Sequence, residues 1–207
     1  MPRLTKSEIS KNELRDIVIS VLVVTLIISY HFSRPTLSTI FAIFPFILVI
    51  IILSFFAHEM AHRYAARKFG CFAVYKMWLG GVLIGLLSML LGFPFIIMGA
   101  VVIYPFKFGR WGFRRVHLTM TETGIISVAG ICVNLLFAAL FSPLAGTFVT
   151  SGLDFFGILS FFNAWWALLN LIPIPPLDGR KVFGWKPWLW FLLVLIAVLL
   201  VYPYFIP

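Results

Sequence analysis

The sequence predicts an all-α polytopic membrane protein of five to six transmembrane helices. Three observations lead there. The 207 residues are 62% hydrophobic and only 11% charged, a composition typical of membrane-embedded chains. Several uninterrupted apolar stretches approach or exceed the length needed to cross a hydrocarbon core of about 30 Å. The basic residues cluster between those stretches, as cytoplasmic loops do. The net charge of +9 is therefore a mark of membrane topology and does not point to nucleic acid. The length suits one membrane-embedded domain over 1–207, with no room for a separate soluble module. Cys71 and Cys132 lack metal-type spacing and are expected to be small buried side chains.

Residues 1–16 are polar, with Arg3, Lys6, Lys11 and Arg15 set against Glu8, Glu13 and Asp16. The first apolar segment, 17–32, has a basic flank but no small-x-small cleavage site. It is expected to be an uncleaved span, followed by a tight turn at Ser33-Arg34-Pro35-Thr36. A second span runs from about Thr39 through His62, carries Arg63, Arg67 and Lys68 at its end, and stops at Gly70. Residues 71–80 and 99–105 are candidate short strands. Between them, 82–104 is apolar but broken by Gly92-Phe93-Pro94. A basic loop follows, with Lys107, Arg110, Arg114 and Arg115. Further spans are expected at 124–144, 155–172 and 188–202. Pro173-Ile174-Pro175-Pro176-Leu177-Asp178-Gly179 follows the 155–172 span, and Arg180, Lys181 and Lys186 come next.

The segment 82–104 decides the topology. If it dips into the membrane and returns, 15 of the 16 Lys and Arg residues fall on one side and only Arg34 on the other. The positive-inside bias favours that arrangement. About 23 residues cannot cross the core twice as helix, so the segment is expected to be re-entrant and buried in protein. The chain is then a multi-pass protein of the cell membrane. Asp178 reaches the depth of His58, near the cytoplasmic side.

That depth matters because of His58-Glu59-Met60-Ala61-His62, an H-E-x-x-H at the end of the apolar run. On a helix, His58 and His62 share one face and can hold a Zn²⁺ from one side. Glu59 lies about 100° round the helix, too far for a ligand beside its neighbour. It suits a base that accepts a proton from metal-activated water. Three ionisable groups in five residues at the end of a membrane run need a compensating partner, and a metal provides one. Catalytic zinc usually takes three protein ligands. Asp178 is the best third, with a turn aspartate capping the next helix as its bland alternative. Glu8, Glu13, Asp16, Glu122 and Asp154 fit worse by position; Glu122 reads as a charge that neutralises a basic loop.

His58-Glu59-Met60-Ala61-His62, Ala129-Gly130-Ile131-Cys132-Val133-Asn134 and Asn170-Leu171-Ile172-Pro173-Ile174-Pro175-Pro176-Leu177-Asp178-Gly179 together resemble the site-2 protease family of intramembrane zinc metalloproteases. The resemblance covers about half the chain, with core helices at about 39–69, 124–146 and 155–180. It is to the small prokaryotic type without a PDZ or CBS domain. It implies His58, His62 and Asp178 as ligands of one Zn²⁺ per chain and Glu59 as catalytic base. Asn170 is implied to hold the substrate carbonyl or the oxyanion, against the plain alternative of a buried amide bonding a neighbouring helix. It implies a transmembrane protein substrate cut in or near its membrane segment, as in regulated intramembrane proteolysis. The chain departs from the family at Ile131-Cys132, where the family has Pro-Leu. A substrate helix must unwind before attack, and an exposed strand edge at 71–80 or 99–105 could take up the extended peptide. Two other classes stay open: a catalytically silent membrane scaffold, disfavoured by the intact Glu59, and a metal transporter, disfavoured by the absence of an internal repeat.

Overall fold

The structure is a computed structural model. It describes residues 6–33, 36–91, 98–104, 106–109, 112–115, 117–150 and 152–205. Eight α-helices carry the described chain, with only two-stranded sheets between them. It is an all-α membrane protein. Four helical stretches are long and apolar enough to cross a membrane: Asn12–Phe32, Leu37–Lys68, Met120–Leu144 and Pro187–Tyr204. Two apolar helices are shorter, Leu79–Met89 and Phe155–Asn170.

The chain divides into two compact units, 1–52 with 73–103, and 53–72 with 104–207. In the first unit, helix α1 (Lys6–Ser33) packs on α2 (Leu37–Ile51) and on α4 (Leu79–Leu90). Strand β1 (Phe72–Met77) pairs with β2 (Gly99–Tyr104), where short strands were expected. The segment 82–104 is thus part helix and part strand. At 12 residues, α4 spans about 18 Å and cannot cross the core alone. The expected bend at Gly92-Phe93-Pro94 and the turn at Arg34-Pro35 lie outside the described residues.

The strand edge offered for a substrate peptide is already occupied along β1. Its Tyr75 N–H donates to Glu13 Oε1 at 3.1 Å, and its Met77 N–H to Asp16 Oδ2 at 3.3 Å. Alternate residues of a strand present their N–H groups to the same edge. Two carboxylates one helical turn apart on α1 match that spacing. Tyr75 Oη adds a hydrogen bond to Ser20 Oγ at 2.9 Å. These two acids of the polar amino-terminal region thus cap a sheet edge, and charged side chains are one of the known ways to blunt it.

In the second unit, a π-helical turn at Ile52–Phe56 leads into α3 (Ala57–Lys68). Ser54 in that turn accepts a hydrogen bond from Asn163 Nδ2 at 2.9 Å. A hairpin of β3 (Phe106–Gly109) and β4 (Gly112–Arg115) pairs Lys107 with Arg114 across the strands. Helix α5 (Met120–Phe141) then runs unbroken through Ile131-Cys132. Its start is closed by a capping box, with Thr119 and Glu122 bonded reciprocally. Glu122 therefore satisfies helix-end amides, where the sequence suggested only neutralisation of a basic loop. Cys132 is exposed on α5, contrary to expectation, while Cys71 is buried.

A short hairpin, β5 (Val149–Thr150) and β6 (Leu153–Asp154), leads to α6 (Phe155–Asn170). The chain then passes a cis Pro175–Pro176 bond into α7 (Asp178–Trp185) and α8 (Pro187–Val201). Helix α5 packs against α3, α6 and α7, and α8 against α6 and α7. Ile131, Leu135, Ala167, Leu171, Val182, Leu193 and Ala197 form the core between them. Phe191, Leu195 and Leu199, spaced by four on the outer side of α8, are 62%, 55% and 62% exposed. Such a stripe suits lipid and would be costly in water.

The capped edge of β1 yields a stability prediction. Glu13 is buried, so Glu13→Ala leaves a buried amide without its acceptor. The expected cost is about 1–3 kcal/mol, with Glu13→Gln milder because its amide oxygen still accepts. Thermal unfolding in detergent checks this, and a wild-type melting temperature for Glu13→Ala contradicts it.

Candidate metal centre

Helix α3 begins one residue before His58, so the H-E-x-x-H occupies its first two turns. His58, Glu59 and His62 are all buried, at 1%, 7% and 6% exposure. The helical period puts His58 and His62 on one face. Their rings meet edge to face, and their Nε2 atoms lie 2.9 Å apart. Asp178 arrives from the other end of the unit's sequence. Its Oδ2 lies 2.8 Å from His62 Nε2 and 3.6 Å from His58 Nε2. Among the described residues, these three form the group of His, Cys, Asp and Glu able to hold a metal ion.

Asp178 is held for this position from several sides. It is the first residue of α7, whose N-cap is Leu177 without a side-chain capping bond. The carboxylate thus faces the histidines and is not spent on capping. A negative charge in the first helical turn is also favourable. Lys181 Nζ donates to the second oxygen, Oδ1, at 3.1 Å, which leaves Oδ2 for the histidine side. Lys181 is well exposed, so this pair orients the carboxylate more than it stabilises the fold. Gly179 does not serve by a positive φ; a Cβ there would collide with the carbonyls of Leu171 and Ile172. Close approach of α7 to the end of α6 is what demands glycine.

The arrangement of hydrogens tests whether a cation fits. His62 Nδ1 lies 2.7 Å from the carbonyl oxygen of Ile126. A carbonyl only accepts, so Nδ1 carries the hydrogen and a neutral His62 presents a bare lone pair at Nε2. That lone pair faces a carboxylate oxygen at 2.8 Å and a second imidazole nitrogen at 2.9 Å. A proton shared with Asp178 answers one of these contacts. A single divalent cation answers both. Donors about 2.0–2.1 Å from a tetrahedral zinc are about 3.3 Å from one another, within the observed 2.8–3.6 Å. The donor set fits a zinc-type ion.

Helix α5 forms the wall behind the two rings. His58 Nδ1 lies 2.8 Å from Asn134 Oδ1. A Cβ on Gly130 would run into His62 Nε2 and come within 2.8 Å of His58 Cε1. The helix can lie this close only because residue 130 has no side chain. Neither contact follows from sequence spacing, since both depend on how α5 lies against α3.

The structure brings His58, His62 and Asp178 together, with Glu59 on the same helical turn. Asn170 makes no hydrogen bond to any of them. Asn170 Nδ2 donates to Trp166 O of its own helix at 3.0 Å. That bond uses one of its two amide hydrogens. Asn170 is half-buried, so the second hydrogen remains available to a ligand.

Fold and site together define a membrane protein in which two histidines and one carboxylate are placed so that they could hold a metal ion. Comparison with known proteins gives the same class. The chain is 35% identical over 184 residues to "Putative zinc metalloprotease MJ0611" of Methanocaldococcus jannaschii, covering 87% of this chain and 88% of that protein. It is 28% identical over 155 residues to "Putative zinc metalloprotease YwhC" of Bacillus subtilis, covering 68% of each. The chain belongs to the metalloprotease family of the archaeal relative. No family model matches it, and no solved structure matches it.

The site predicts the metal content of variants. His58→Ala, His62→Ala and Asp178→Ala should each lose bound metal. Gly130→Ala should lower it although no ligand is replaced, because its methyl group displaces the rings. Elemental analysis of purified full-length variants checks this, and wild-type metal content throughout would show that the cluster is not the metal site.

Proposed function

We propose that the chain is an intramembrane zinc metalloprotease of the site-2 protease kind, hydrolysing peptide bonds in or near transmembrane segments of other membrane proteins. One observation carries this reading. Two imidazole nitrogens and a carboxylate oxygen converge within a few ångströms, with a glutamate beside the first histidine, in a membrane protein. The relatives' names supply the reaction class. His58, His62 and Asp178 would hold one zinc, leaving a position for water.

A zinc held by these three residues would supply Lewis acidity, which lowers the pKa of a bound water and polarises a carbonyl. Glu59 takes the proton from the attacking water and returns it to the leaving amine. Water and peptide are thereby converted to a carboxylic acid and an amine with no other reactant. Asn170 donates its second amide hydrogen to the carbonyl oxygen as negative charge develops there. Lys181 and the start of α7 keep Asp178 aimed at the histidines. The substrate helix must open before its carbonyl is reachable, because helical carbonyls are already bonded.

The basic residues support a topology for this reading. The amino terminus, residues 105–120 and residues 180–186 would face the cytoplasm, with Thr150 and the carboxyl terminus outside. Single cysteines placed at Lys107 and Thr150, with Cys71 and Cys132 replaced, test it. Position 107 should be labelled from the cytoplasmic face and position 150 from the outer face. The reverse pattern contradicts the assignment.

The mechanism separates two residues by what their loss leaves behind. Glu59→Gln keeps shape and zinc but removes the base, so cleavage should fall by about 10²–10⁴-fold. Asn170→Ala should keep zinc and lose about 10²–10³-fold. Cleavage of a single-span substrate, normalised to bound zinc, is the measurement. Undiminished activity in Glu59→Gln would refute the protease mechanism; undiminished activity per zinc in Asn170→Ala would remove Asn170 from it.

A further inference from the structure

Asn134 lies in the middle of α5 and is fully buried. The mechanism above gives it no task. Its Oδ1 lies 2.8 Å from His58 Nδ1, and its Nδ2 has no hydrogen-bond partner among the described residues. A buried amide donor left in that state costs on the order of 1–3 kcal/mol. A leucine of similar volume would fill the same space without that cost. The amide is kept for something other than packing.

What it can do follows from the two neutral tautomers of histidine. An amide oxygen against Nδ1 requires the imidazole hydrogen on Nδ1. Nε2 then turns a lone pair toward His62 and Asp178. The opposite amide orientation would set an N–H against Nδ1, move the hydrogen to Nε2 and block His58 as a ligand. Counting partners does not choose between the two, since each leaves one amide group unbonded. A cation at Nε2 does choose. It requires the oxygen-to-Nδ1 orientation, which is the one present.

Ile126 settles the same question for His62 with a backbone carbonyl. Residues 126, 130 and 134 recur at intervals of four and share one face of α5. In order they present a carbonyl, a gap where a Cβ would strike both rings, and an amide. A carbonyl can neither flip nor be removed by substitution. His58 is therefore the ligand whose tautomer depends on a side chain.

We infer that Asn134 is a positioning residue of the metal centre: it fixes His58 in the tautomer that can bind the ion, and so sets the affinity for zinc. The inference rests on the zinc reading above. Loss of such an outer contact typically costs about 10–100-fold in metal affinity. An ordinary hydrogen bond between α3 and α5 would instead affect stability alone.

Zinc affinity of the full chain in detergent, measured by competition with a chromophoric chelator, tests this beside thermal unfolding. Asn134→Leu removes the acceptor and should bind zinc about 10–100-fold more weakly. Asn134→Asp keeps an acceptor for Nδ1–H and should match or exceed the wild type, as carboxylate–histidine–zinc contacts do. Wild-type affinity in folded Asn134→Leu overturns the inference, and so does a loss of about tenfold or more in Asn134→Asp. If Asn134→Leu does not fold, Asn134→Asp decides alone by the same threshold. A wild-type chain that binds no zinc would defeat the zinc reading itself, and this inference with it.

Discussion

Two lone pairs and a negative charge are forced together in a water-poor interior, and much of the second unit serves to hold them there. His62 Nε2 faces Asp178 Oδ2 at 2.8 Å and His58 Nε2 at 2.9 Å. Left alone, such groups would repel or take up protons. Helix α3 fixes the two rings one turn apart, and α5 bonds each ring from behind. The first turn of α7 carries the carboxylate in, and Lys181 holds its other oxygen. The apolar cluster of Ile131, Leu135, Ala167, Leu171 and Val182 ties α5, α6 and α7 together close behind the site. A divalent cation is the simplest partner that makes this geometry favourable.

The parts of this site that depend on local spacing were legible in the sequence. Histidines four apart share a helical face wherever the helix forms, so His58 and His62 needed only the helix. Asp178 required one more step, the argument that charge asymmetry places it at the depth of His58. Asn134 was visible only as part of a motif resemblance, because its role depends on the approach of α5 to α3. Gly130 stood in the same motif, and its role as the gap that admits the two rings was hidden for the same reason. The π-turn at Ile52–Phe56 left no trace in an apolar run that reads as plain helix. Its contact partner, Asn163, lies more than a hundred positions away.

Two misreadings share a different cause. Cys132 was expected inside because small, weakly polar side chains usually are. In a membrane the outer surface is apolar too, so polarity alone cannot separate core from lipid face. Glu13 and Asp16 were read only as part of a polar amino-terminal region. They bond the amides of Tyr75 and Met77 instead, a pairing that spans some sixty residues of chain. The charge pattern was a poor guide to what individual acids touch.

The central claim is that His58, His62 and Asp178 form the first coordination shell of one zinc ion. X-ray absorption at the zinc edge of the purified full-length protein tests it most directly. The account predicts two imidazole nitrogens and one or two oxygens at about 2.0–2.2 Å, with no sulfur. A thiolate in the shell, or a shell of oxygens without imidazole, would contradict it.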